Sequence, residues 1–90
     1  MKQTTLRIDT SVGLHARPAA LFVQQTNAFS SKISIRNRTT DSAWVNAKSI
    51  LSVLTLGVET QHEIDLKAEG PDEAQAVDAL TALVASGLGE

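Results

Sequence analysis

The chain has 90 residues, of which 42% are hydrophobic and 20% charged, with a net charge of −2 and no cysteine. This length supplies material for one core, so a single domain over 1–90 is expected, and the composition lies outside the charge-rich, apolar-poor range of disordered chains. Without thiols there is no disulfide or thiolate metal centre, and two histidines far apart in sequence make no structural zinc, so neither metal nor cofactor is expected.

Leu6 and Ile8 stand two apart with Arg7 and Asp9 between and beyond them, the period of a half-buried strand over 3–9. After Ser11-Val12-Gly13-Leu14, the segment 16–28 places Ala19, Phe22, Val23 and Thr26 at helical spacing. Residues 32–36 alternate again, and 43–45 form a short extended piece beyond the turn-rich 37–42, which together read as a hairpin. Residues 49–56 are a short apolar run closed by Gly57, a second helix. In 62–68, Ile64, Leu66 and Ala68 alternate with Glu63, Asp65 and Lys67, a fourth strand. Pro71 at the first helical position, Asp72 and Glu73 in the first turn, and the stripe Ala76, Val77, Leu80, Leu83, Val84 mark a third helix that stops before Gly87. The order βαββαβα, with strands apolar on one face, predicts an α+β fold. It is a two-layer, open-faced sandwich in which three helices cover one side of a four-stranded antiparallel sheet.

Charge is divided along the chain. Residues 1–58 hold seven of the eight bases against Asp9 and Asp41, whereas 59–90 set Lys67 against eight acids. A basic first part suits docking to an acidic partner, or is no more than a solvated surface. Nucleic acid is a poor ligand, because the three aromatics, Phe22, Phe29 and Trp44, do not interleave with the bases. No run approaches the roughly 20 apolar residues of a membrane span, and no apolar signal segment follows Met1-Lys2-Gln3-Thr4. A cytoplasmic protein without membrane insertion is expected.

Chemistry concentrates in Gly13-Leu14-His15-Ala16-Arg17-Pro18-Ala19-Ala20, where a strand-to-helix loop becomes a helix. His15 falls at the boundary, and Pro18 is tolerated in a first turn because N–H groups there have no intrahelical partner. The backbone N–H groups of Ala16 and Arg17 then point out of the positive end of the helix, which favours an anion. The helix end contributes about 0.3–1 kcal/mol to such an anion, and a charged bond from Arg17 about 1.5–3 kcal/mol. That is enough to steady a phosphoryl group and too little to trap it. No carboxylate occurs between Ser11 and Ala20 to act as a base or hold a metal, so an enzyme is not expected. On residues alone, however, a histidine beside a helix is most often a surface or capping residue.

Gly13–Ala20, followed by Val45-Asn46-Ala47-Lys48-Ser49-Ile50-Leu51-Ser52-Val53-Leu54-Thr55-Leu56-Gly57 and then Ala68-Glu69-Gly70, resembles the histidine-containing phosphocarrier family HPr of the sugar phosphotransferase system, across essentially the whole chain. The resemblance implies that His15 accepts a phosphoryl group on Nδ1 from Enzyme I, charged from phosphoenolpyruvate, and passes it to an enzyme IIA protein or domain. It further implies that Arg17 assists and that catalysis resides in the partners. A carrier in a nitrogen-regulatory or dihydroxyacetone phosphorelay would share these residues. A regulatory binding module without phosphotransfer would need neither His15 nor Arg17.

By the same resemblance Ser49 is a conditional regulatory site for a dedicated HPr kinase/phosphorylase; read from position alone, it caps the second helix. Ile50, Leu51, Val53, Leu54 and Leu56 make that helix apolar on nearly all sides. If Val53 and Leu56 face the sheet, then Ile50, Leu51 and Leu54 are surplus, either filling core under loops or meeting a partner. The family places docking there and on the exposed side of the first helix, which adds Ala20, Leu21, Gln24 and Asn27, with Lys48 and Arg17 at the rim. The chain is expected to work as a monomer. His62 reads as a solvated surface residue. Trp44 falls on the sheet face away from the helices and reads as packing, next to a 37–44 hairpin longer than the common family pattern.

Overall fold

The computed structural model describes residues 1–89. Its elements are β1 (Lys2–Arg7), α1 (Ala16–Thr26), β2 (Lys32–Asn37), β3 (Val45–Asn46), α2 (Ile50–Leu54), β4 (Glu63–Glu69) and α3 (Glu73–Ala85). The strands form one antiparallel sheet in the order β1-β4-β2-β3. β4 is therefore central, with Leu66 opposite both Thr4 and Ile35. Ile33, Ile35, Ile64, Leu66 and Ala68 line one face at the two-residue period and are fully buried or nearly so. Against them pack Ala19 and Phe22 of α1, Val53 of α2, and Ala76, Leu80 and Val84 of α3. The α+β architecture is as expected: an open-faced sandwich with three helices on one side of the sheet.

Several boundaries differ, each for a tertiary reason. β1 ends at Arg7, not at residue 9, because its partner begins at Glu63; Ile8 bonds instead to the 61–62 turn, donating to His62 O at 2.9 Å and accepting from Gln61 N at 2.6 Å. α1 stops at Thr26 because the following Asn27 side chain turns back, donating to Val23 O at 2.9 Å and Lys48 O at 3.1 Å. β3 is two residues long and starts at Val45, one register position beyond Trp44. α2 is a five-residue helix, and Leu56 reaches the core from the turn after it. α3 starts at Glu73 and not at Pro71. Asp72 directs its carboxylate across to the start of β2, where it accepts from the N–H groups of Ser30 and Ser31, both at 2.9 Å, and from both hydroxyls.

The outer face of the sheet is not bare. Asp65 lies there yet is 1% exposed, because Thr5 Oγ1 donates to it at 2.6 Å, Arg36 Nε at 2.8 Å, and Arg38 Nη1 reaches it from the 38–42 turn at 3.4 Å. Burial alone would raise the Asp65 pKa, but the hydrogen bonds from Thr5 and Arg36 and the two guanidinium charges outweigh it and lower it. Trp44 packs on this face as expected, with Lys67 Nζ 4.2 Å and Arg36 Cζ 5.3 Å from its ring centre.

The Ser31 hydroxyl and the Ser30 N–H, aided by the other Ser30 and Ser31 donors, hold the Asp72 pKa down to about 2 from 3.8. A lowered folded-state value means the unfolded chain binds more protons, so this contribution is present above pH 3.8 and lost as pH falls toward 2. Urea midpoints measured between pH 5 and 2 should therefore fall steeply in the wild type. In Asp72→Asn they should start lower and fall less, and parallel pH curves for the two proteins would refute the assignment.

Candidate functional site

The loop between β1 and α1 is shaped by two left-handed residues. Thr10 and Gly13 close a turn, the Thr10 hydroxyl donating to Gly13 O and Gly13 N to Thr10 O at 3.3 Å. Gly13, at φ 66°, presses on the 58–59 backbone; a side-chain carbon there would strike Val58 O and lie 2.8 Å from Glu59 Cα. Leu14 continues the contact, its N–H donating to Val58 O at 2.9 Å while its side chain is fully buried. His15 then stands at the N-cap in extended conformation, with no capping hydrogen bond from its side chain, which is 35% exposed. Ala16 follows at φ 52°, where a non-glycine residue costs roughly 1–2 kcal/mol. Buried Pro18 and Ala19 secure the turn beyond it.

Two groups approach from distant parts of the chain. Glu59 Oε1 is 3.7 Å from His15 Nε2. Glu59 rides on the turn before β4, where its N–H donates to His62 Nδ1 at 3.1 Å, and buried Asn37 Nδ2 lies 3.2 Å from the same nitrogen. The expectation for His62 is thus corrected: it is half-buried and brackets this turn. At the other side, Gly89 abuts α1. A side-chain carbon built on it would lie 3.4 Å from Arg17 Nε and 2.5 Å from Leu21 Cδ1. Arg17 itself is exposed, beside His15 at the head of the helix. The N–H groups of Ala16 and Arg17 belong to the first turn, which has no intrahelical acceptors.

The residues expected to dock partners separate into two sets. Leu51 is 74% exposed, with Ile50 and Leu54 at 38% and 39%, while Val53 and Leu56 face the core. The surplus apolar side chains therefore reach solvent and do not fill core. Ala20, Gln24 and Asn27 lie on the exposed side of α1, and Leu21 is partly covered. Lys48 is not a free rim cation: its Nζ donates to Phe29 O at 2.6 Å, drawing the ammonium toward the end of α1. Ser49 caps α2, its hydroxyl accepting from Ser52 N at 3.3 Å. Val12, in the His15 loop, is also an exposed apolar residue, and no periodicity in the sequence marks it.

A family model, PTS HPr component phosphorylation site, matches residues 2–86. The chain belongs to the HPr family. Members of this family are phosphocarriers of the phosphotransferase system, not catalysts. HPr-C-His from Thermoanaerobacter tengcongensis is 48% identical and superimposes with a TM-score of 0.94, covering 100% of this chain and 98% of that one. The HPr-like protein Crh of Bacillus subtilis is 43% identical over 93% of this chain and 95% of its own. The multiphosphoryl transfer protein of Vibrio cholerae is 45% identical over 96% of this chain, which spans only 22% of that longer protein. Dimers of the Thermoanaerobacter HPr and of Crh are among the solved structures.

The two left-handed residues make opposite predictions. Gly13→Ala should cost about 1–3 kcal/mol, because it adds strain and displaces the 58–59 backbone. Ala16→Gly should raise stability by about 0.5–1 kcal/mol, the relief of strain less the extra freedom of glycine in the unfolded chain. Urea denaturation at pH 7 checks both signs.

Proposed function

We propose that this chain, acting as one HPr domain over residues 1–90, accepts a phosphoryl group on His15 from phospho-Enzyme I and delivers it to enzyme IIA proteins in sugar uptake. The observation that supports this most is His15 at the N-cap of α1, partly exposed, with Arg17 and the first-turn N–H groups of Ala16 and Arg17 beside it. These groups favour a dianion by a few kcal/mol at most, the lower part of that range applying to an exposed arginine. Such a hold suits a group that must leave again. Among the described residues, no cluster of three acidic or histidine side chains is placed to bind a metal, and no helix is long and apolar enough to cross a membrane. We place the carrier in the cytoplasm as a monomer.

Docking would use Ile50, Leu51 and Leu54 with the outer side of α1, including Ala20, Leu21, Gln24 and Asn27. Ser49 sits at the edge of this surface. A phosphate on it would add about −1.5 to −2 charge at the N-terminus of α2 and repel an acidic partner, which makes it a conditional brake on loading of His15. Its existing cap to Ser52 supports the structural role independently of any kinase.

Incubation with phosphoenolpyruvate and Enzyme I should yield an acid-labile, base-stable phosphoryl group on wild type and none on His15→Ala. Undiminished label on that variant would end the proposal. Leu51→Glu should leave the melting temperature within a few degrees, since its side chain is exposed, yet raise the KM for loading by about tenfold or more. An unchanged KM would remove α2 from the docking surface.

A further inference from the structure

We infer that Glu59 is a positioning residue for His15, holding the imidazole proton on Nε2 and leaving the Nδ1 lone pair to take the phosphoryl group. The inference rests on the proposed role of His15 as acceptor. It starts from geometry: Glu59 Oε1 faces Nε2 at 3.7 Å, and this is the ion-pair contact His15 makes among the described residues. The main chain of both partners is held in place. His15 follows the Leu14-to-Val58 hydrogen bond, and the Glu59 N–H is fixed on His62 Nδ1. Gly13 packs against Glu59 Cα itself, so the distance between the two α-carbons has little freedom.

Chemistry gives that contact a direction. A neutral imidazole carries one proton, and the hydrogen bond at one nitrogen decides the state of the other. An ionised carboxylate only accepts, so the nitrogen opposite Glu59 must be the donor. The gap of 3.7 Å exceeds an N–H···O bond by several tenths of an ångström, which a rotation of the 65% exposed glutamate side chain would close. The carboxylate also disfavours the alternative product, since a phosphoryl dianion on Nε2 would face a like charge at close range.

In the transfer step the Nδ1 lone pair forms the N–P bond, while the bond from phosphorus to the donor atom breaks and its electron pair stays on the donor. Nε2 keeps its proton, so positive charge develops on the ring beside Glu59, which offsets it. When the recipient attacks phosphorus, the N–P bond breaks and its pair returns to Nδ1. The same carboxylate therefore serves loading and unloading, as the carboxylate behind a catalytic histidine does.

Two-bond proton–nitrogen NMR on the unphosphorylated protein, above the pH at which the imidazole titrates, reads the tautomer directly. Wild-type His15 should be mostly in the Nε2–H form, and Glu59→Ala should raise the Nδ1–H share about two- to fivefold. Glu59→Gln, which keeps an acceptor without charge, should stay Nε2–H. In loading assays with phosphoenolpyruvate and Enzyme I, both variants should lose about two- to fivefold in kcat at unchanged KM, the range of an exposed ion pair. A wild type mostly in the Nδ1–H form, or an alanine variant equal to wild type in both tautomer and kcat, overturns the inference. No label on wild-type His15 would defeat the proposed carrier role instead, and the tautomer measurement does not depend on it.

Discussion

The close approach of Gly13 to the backbone of 58–59 governs the arrangement of the site. No side chain larger than hydrogen fits between them, and Leu14 bonds to Val58 immediately afterwards. The loop that carries His15 is thereby fastened to the turn that carries Glu59, and the fastening is made by main chain, which side-chain motion does not loosen. From there the rest follows by short steps. Leu14 plugs the core, His15 is left at the rim as N-cap, and the chain reverses through a strained Ala16 into a helix whose buried Pro18, Ala19 and Phe22 seat it on the sheet.

The polar interactions on the two sides of the sheet have different characters. On the outer face, Asp65 is nearly inaccessible and satisfied by a hydroxyl and two guanidinium groups. Removing its partners would strand a buried charge, which commonly costs about 3–5 kcal/mol. Through Arg38 that network draws the longer hairpin onto the sheet, and Trp44 stands beside its Arg36 and beside Lys67. Around His15 the charged groups are exposed and individually weak. The buried network ties strands together, whereas the groups around His15 are tied mainly through their backbone.

Periodicity in the sequence reaches the architecture because each strand is apolar on one side only. The alternation Ile64, Leu66, Ala68 and the stripe Ala76, Leu80, Val84 leave little choice of burial, and Pro18 marks the start of α1. Boundaries are less legible since they depend on partners far along the chain: β1 ends where Glu63 begins its partner, and Asp72 leaves its own helix to hold Ser30 and Ser31. The same reason hides Glu59 and His62. Neither stands near His15 in sequence, their type carries no motif, and it is the contacts of Gly13 and Leu14 with 58–59 that bring them to the site. Lys48 is a further case, its ammonium donating to Phe29 O, a contact that no local pattern marks.

For a carrier, weakness at the site and smallness of the apolar patch belong together. Ile50, Leu51 and Leu54 lie on a helix of only five residues, so a docking surface built on them would be modest beside those that make lasting complexes. Complexes made through them would be short-lived, with affinity adjusted mainly through the dissociation rate. A tighter anion site would hold the phosphoryl group against the recipient, and a larger patch would hold the protein on the donor. Main-chain contacts hold the backbone on either side of the site, so that accuracy of placement does not require strength of binding.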